Sequence, residues 1–214
     1  KTFLGQTGNF NGEDIINIIV QQSASARFLC RHLYNFFVAD EVQVPAWNVT
    51  PPRDPEAIEL LTQAYFESNY DLRAVLRVLF NSDFFKNSRF TRVKSPAEMV
   101  VSTLRLSGSF SGPRLGYQAV AAECGFQGQE LLNPPSVESW HTGEEWIDGG
   151  ALVRRVNFAA KYLSDTNQPG INSIVERIKA QGTLSPEQCV EQCLDLLGPL
   201  EVGDSTRQEL VDQV

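Results

Sequence analysis

The feature that most limits the fold of this chain is a series of helix starts, each followed by apolar residues at helical spacing. Each start places a side chain that accepts hydrogen bonds from the free backbone N–H groups of a first helical turn. Two starts continue into Glu98 and Gln188, three residues after a serine, and this spacing predicts a capping box. The starts are Asn11, Asp54-Pro55, Asp71, Ser95-Pro96 and Ser185-Pro186.

A further helix is predicted to begin at Ser23 or Ser25, because the apolar residues that follow recur every three or four positions. The same periodicity places Arg27, Arg31 and His32 on the solvated side of this helix. Its buried face is expected to contain Ala26, Leu29, Cys30, Leu33, Phe36 and Phe37.

Helices are also predicted over 151–163 and 171–180, whereas alternating apolar residues bounded by hairpin turns are not found. The predicted fold is therefore mostly α. It is a bundle-like helical domain with few or no strands and with long irregular loops that contain proline and tryptophan.

Two segments interrupt the helical pattern. Residues 40–53 hold three prolines and are expected to be extended. Residues 125–150 form a second stretch without helical periodicity. Loops longer than about 12–15 residues are uncommon in compact domains and often bind or cover ligands. The second segment is therefore the first place in which to expect a functional site.

This second loop contains the residue types of several kinds of site. His141 with Glu144, Glu145 or Asp148 has the composition of a general acid–base pair. Trp140 and Trp146 are candidates for stacking on a ligand such as a sugar. The alternative interpretation is structural, because large rings also anchor an irregular loop to the helices beneath it.

A basic segment, 86–94, leads into the helix start at Ser95. Its residues Arg92 and Lys94, together with the free N–H groups of that helix, predict a phosphate or carboxylate site. The simpler alternative is a basic connector that offsets the acidic charge elsewhere in the chain.

Composition excludes several classes of partner. The chain has 18 basic and 26 acidic residues, a net charge of −8, and the whole excess lies in 108–214. A nucleic-acid partner is therefore not expected, and loose binding to an anionic membrane is disfavoured. No apolar run is long enough to cross a bilayer. Cys189 and Cys193 are predicted to be buried thiols, and no metal site is predicted.

Several motifs resemble a large bacterial family catalogued as domain of unknown function 1800. The resemblance covers residues 1–163 and implies a helical core there, with 164–214 as a helical extension packed on it. Because the chain begins at Lys1 without an initiator methionine, it is expected to be a piece of a longer protein, and the resemblance implies that it is the C-terminal portion. The motifs are at 1–12, 26–28, 33–38, 70–73, 82–85, 94–98, 134–140, 146 and 155–158.

The family implies an exported, extracytoplasmic bacterial protein and an absent N-terminal half as a partner, but it implies no reaction. Since no complete catalytic motif is present, we expect a binding module for a partner protein or a cell-surface polymer such as a glycan. The alternative is a hydrolase that uses His141 with a nearby carboxylate. The residues leave any cofactor undetermined.

Overall fold

The computed structural model describes residues 1–110, 112–113, 115–140, 142–198 and 200–214, which divide into two units. The first unit contains Lys1–Ser95 and Pro135–Asp148, and the second contains Pro96–Pro134 and Gly149–Val214. The described residues are mainly helical and include a single two-stranded sheet, so the mostly α fold is confirmed. Among them, no helix has both the length and the apolar character needed to cross a bilayer.

The first unit packs its helices around one apolar core. Its helices are α1 (Gly12–Val20), α2 (Ser23–Phe37), α3 (Pro55–Glu67), α4 (Leu72–Asn81) and α5 (Asp83–Lys86). A short antiparallel hairpin, β1 (Thr2–Phe3) and β2 (Gln6–Thr7), precedes them. Helix α3 packs against both α2 and α4, and the fully buried Leu61, Val75 and Leu79 lie in this core. The predicted caps Asn11, Asp54 and Asp71 each accept a backbone N–H.

The predicted buried face of α2 is correct in part. Ala26 and Cys30 are buried, but Phe36 is 63% exposed. Tyr34 and Arg31 are buried instead, so the expectation that Arg31 faces solvent is wrong. An ion pair with Glu41 makes this burial possible, because a charged partner inside the protein replaces the lost hydration.

The segment 40–53 is less extended than expected. A 3-10 helix forms over Val44–Asn48, with Pro45 in its first turn, where a missing backbone N–H costs no hydrogen bond. The indole Nε1 of Trp47 donates to the Val42 carbonyl at 2.7 Å and closes this turn. The prolines therefore order the loop locally rather than leaving it extended.

The second unit contains the remaining helices. They are α6 (Pro96–Ser107), α7 (Tyr117–Phe126), α8 (Gly149–Leu163), α9 (Pro169–Lys179), α10 (Pro186–Leu196) and α11 (Asp204–Val211). Helix α6 packs against α7, α8 and α9, and Val100, Leu104, Cys124 and Phe158 form its core. The capping box at Ser185 is confirmed, with Gln188 returning a hydrogen bond to the Ser185 backbone.

Helix α7 is absent from the sequence-based prediction. It begins after Gly116, which has no side chain for a cap, and its apolar residues do not form one clear stripe. The expected long irregular segment between α7 and α8 is otherwise present. It contains a second 3-10 helix, Gly143–Ile147, and ends where α8 begins at Gly149.

All four cysteines are free thiols, and they differ in burial. Cys30 and Cys124 are buried. Burial raises the pKa of Cys30 to about 11, and this effect outweighs the opposite effect of a hydrogen bond with Thr62. Cys189 and Cys193 lie half-buried on α10, so the expectation that both are buried is wrong. The buried positions of α10 are Val190 and Leu194 instead.

We expect native-state alkylation to modify Cys189 first and Cys193 next, because partial burial and the neighbouring Cys189 raise the pKa of Cys193. Cys30 and Cys124 should react only after unfolding, because a buried thiol with a raised pKa supplies almost no accessible thiolate. Mass spectrometry after treatment with N-ethylmaleimide, with and without urea, measures this order. Modification of Cys30 at the native rate of Cys189 would contradict it.

Candidate functional site

A groove of about 660 Å³ lies in the first unit, where three segments that are distant in sequence come together. Its walls are the start of the 40–53 loop, the basic connector near residue 91, and the segment 142–145. This volume is in the range of sites that hold small molecules or short polymer segments. The residues that line it are Asp40, Glu41, Val42, Gln43, Arg53, Phe90, Thr91, Val93, Thr142, Gly143, Glu144 and Glu145.

Asp40 connects all three walls. One of its carboxylate oxygens accepts the backbone N–H of Val93 at 2.7 Å, and the other lies 3.7 Å from Nε of Arg92. Gly143 packs against its side chain, since a Cβ added there would lie 3.2 Å from the Asp40 Cβ. The φ of Gly143 is +68°, a backbone conformation that favours glycine. The groove is therefore built on a specific local geometry and is not a gap between loose loops.

A buried ion pair supports the groove from below. Nε and one terminal nitrogen of Arg31 donate to the same Glu41 oxygen at 3.1 and 2.7 Å. The other oxygen of Glu41 accepts the backbone N–H of Arg53 at 2.8 Å. Arg31 also donates to the carbonyls of Thr50 and Pro51. This network ties both ends of the 40–53 loop to α2, so the Glu41 carboxylate is structural.

The accessible rim of the groove has mixed chemistry. Glu144 and Arg53 are exposed and carry opposite charges. The Gln43 amide donates weakly to the Thr142 carbonyl at 3.4 Å, which leaves its oxygen for other partners. The Phe90 ring is exposed and supplies an apolar surface. The rim therefore offers hydrogen-bond donors, acceptors and one ring face within the same concave surface.

Two of the three residues predicted for catalysis fall within the described residues. Glu144 lines the groove, whereas Asp148 is exposed and is not among the lining residues. His141 lies outside the described residues, so its pairing with a carboxylate stays a prediction. Within the described ranges, no three His, Cys, Asp or Glu side chains lie close enough together to bind a metal ion.

The residues predicted for ligand binding also occupy different environments. Trp146 is only 6% exposed, which favours its role as an anchor of the loop. Trp140 is half-buried, and its Nε1 has no acceptor among the described residues. Arg92 donates to the Phe36 carbonyl and stacks on the Phe36 ring, with 5.6 Å from Cζ to the centroid. Lys94 is exposed and is not among the groove-lining residues.

An aromatic cluster beside the ion pair is a feature that sequence reasoning missed. The His32 ring lies 4.5 Å from the Phe28 ring and 4.6 Å from the Trp47 ring. The Arg31 guanidinium lies 4.5 Å from the Trp47 centroid. His32 is therefore only partly open to solvent, and burial lowers its pKa. The i, i+4 spacing of Phe28 and His32 was the available signal, but nothing local indicated that Trp47 returns to them.

A smaller cavity of about 370 Å³ lies between α7 and α8 in the second unit. Arg154 and Glu123 form a bidentate pair there, at 2.7 and 2.9 Å, and Arg154 also covers the Phe126 ring. These two charged groups are already matched to each other. The first-unit groove carries opposite charges on its rim that are not matched to each other, so it is the better candidate site.

The fold and the groove place this chain among mostly helical proteins of two units. In the first unit, loops between helices form a groove large enough for a small ligand. Over residues 1–214, the chain matches the family model described as "Protein of unknown function (DUF1800)", and it belongs to that family. The match extends past residue 163, where the motif resemblance ended. No curated protein and no solved structure matches the chain.

Proposed function

We propose that this protein is a binding module, and that the first-unit groove holds a short segment of a neutral glycan. The observation that carries the proposal is the convergence of three distant segments on one groove at Asp40, which binds Val93 and Arg92 and packs against Gly143. A groove held in this way is preorganised, so less binding free energy is lost in ordering it.

The chemistry of the rim supports a neutral, hydroxyl-rich ligand. Arg53 offsets one of the two exposed carboxylates, Glu144 and Glu145, while Asp40 and Glu41 are already paired with Arg92 and Arg31. Sugar hydroxyls donate to carboxylates and accept from guanidinium groups, while the C–H face of a sugar can pack on the exposed Phe90 ring. An extracytoplasmic location, implied by the motif resemblance, is part of the same proposal.

We expect Phe90→Ala and Glu144→Gln each to weaken glycan binding by about tenfold, because each removes one ring contact or one charge-assisted hydrogen bond. An array of immobilised neutral and acidic oligosaccharides identifies a binder, and calorimetry with that oligosaccharide measures the affinity. Both side chains are exposed, so the thermal unfolding temperature should not change.

Val137→Ala and Glu138→Gln provide the matched controls. Both residues are exposed on the same loop, and neither lines the groove, so both variants should bind as the wild type does. Two results would overturn the proposal. One is a chain that binds no oligosaccharide. The other is capture of lysine-rich peptides in place of sugars, which would assign the groove to a protein partner.

A further inference from the structure

The positive charge of the first unit is concentrated in one stretch of the chain. Residues 72–94 contain six basic residues and one acidic residue, a net charge of +5 in a chain whose total is −8. At physiological ionic strength, charges are screened beyond about 8 Å. A partner that approaches this surface therefore responds to the local positive charge more than to the net charge of the chain.

The same region carries a continuous row of phenylalanine rings, which we call the phenylalanine strip. Successive ring centroids are 4.7 Å apart from Phe36 to Phe37, 5.1 Å from Phe37 to Phe80, and 5.2 Å from Phe80 to Phe85. Phe36 and Phe80 are 63% and 41% exposed. The strip therefore joins the C-terminal end of α2 to α4 and α5 through side chains that remain partly open to solvent.

Several cationic residues adjoin the strip, either by contact or along the same segments. Arg77 is exposed one helical turn before Phe80 on α4, so both side chains lie on the same side of that helix. Lys86 follows Phe85 and is exposed, with a weak 3.8 Å contact to Asp83. Arg89 is exposed on the connector, and Arg92 stacks on Phe36. Exposed rings bordered by arginine and lysine are the pattern of surfaces that dock at a membrane interface.

We propose that the phenylalanine strip docks on the head-group region of a bilayer rich in anionic lipid, with the Phe36 and Phe80 rings entering the acyl boundary. The four adjoining phenylalanine rings form an extended apolar surface without a polar group of its own. The acyl region of a bilayer solvates such rings more favourably than a hydrated polymer does. Lipid phosphates supply the negative charge that the adjoining cations require.

The test is sedimentation of the chain with vesicles of phosphatidylcholine, with and without phosphatidylglycerol. We expect binding only to the phosphatidylglycerol vesicles, weakening as salt is raised. Replacing both Arg77 and Arg89 with glutamine should lower the affinity about 25-fold, because each basic residue near an anionic surface is worth about fivefold. Phe36→Ser and Phe80→Ser should each lower it about tenfold through lost apolar burial.

Phe126→Ser is the matched control for the rings. Phe126 is 65% exposed and has Arg154 stacked over it, as Arg92 stacks over Phe36, but it lies in the second unit. Arg177→Gln on α9 is the matched control for charge. Both should bind vesicles as the wild type does. The groove variant Glu144→Gln should also bind normally, which keeps this proposal separate from the glycan proposal.

Three outcomes would overturn the proposal. The first is absence of sedimentation with phosphatidylglycerol vesicles at low salt. The second is equal loss of binding in Phe126→Ser and Phe36→Ser. The third is retention on heparin without vesicle binding, which would assign the strip to an anionic polymer.

Discussion

Arg31→Ala is expected to lower the free energy of unfolding of the first unit by about 3–5 kcal/mol. The substitution leaves Glu41 buried without its cation, since Arg31 and Glu41 are both buried and bond to each other. It also removes the donors to the Thr50 and Pro51 carbonyls and the contact with Trp47. Urea unfolding followed by tryptophan fluorescence measures the loss, because all three tryptophans belong to the first unit.

Arg27→Ala is the control for this prediction. Arg27 lies one turn earlier on α2 and pairs with Glu59, but both side chains are 61% exposed. An exposed pair contributes about 0–1 kcal/mol, so the midpoint of unfolding should barely move. If both variants lost the same stability, burial of the Arg31 pair would not be the cause. Replacing Arg31 with methionine and Glu41 with leucine together should recover much of the loss, since no charge then remains buried.

Gly170→Ala is expected to lower the stability of the second unit by about 3 kcal/mol, the upper part of the range for overpacking. An alanine Cβ at this position would overlap the carbonyl oxygen of Leu106 and would lie 2.9 Å from the carbonyl carbon of Ser107. Both are backbone atoms at the end of α6, which packs against α9. They cannot rotate away as a side chain would, so the helices must separate. Calorimetry and far-ultraviolet circular dichroism measure the effect, because the second unit has no tryptophan.

Gly149→Ala distinguishes this steric cause from a general effect of adding a methyl group. Gly149 is also at the start of a helix, and an added Cβ there has no neighbour within 4 Å. Alanine at such a position is expected to be neutral or to stabilise by up to about 1 kcal/mol. A destabilisation of Gly149→Ala equal to that of Gly170→Ala would contradict the interpretation.

Several of the helices that were predicted correctly have starts that carry a local chemical signal. Asn11, Asp54, Asp71 and Ser185 accept backbone N–H groups within three residues, so the sequence around each of them is sufficient. Helix α7 lacks such a signal after Gly116 and was missed. The orientation of α2 was predicted incompletely, because periodicity assigns Arg31 to a face without revealing that Glu41 returns to pair with it.

The candidate site was predictable only in its parts. The Trp-containing loop, the 40–53 segment and the basic connector were each recognisable from composition. Their convergence depends on contacts across 53 residues from Asp40 to Val93 and 99 residues from Gln43 to Thr142. Such contacts have no signature at either end of the sequence, and Asp40 in particular carried no signal of its role.

The sequence by itself determined the family, the helical class and most helix starts, because caps, prolines and the 3.6-residue repeat act over a few residues. Tertiary structure alone decided which charges are buried, which rings stay exposed and where a groove forms. Arg31 and Arg27 illustrate the division, since they share one helix and one chemistry yet differ in burial. Long-range packing sets the local dielectric environment and the available partners, and these determine what each side chain does.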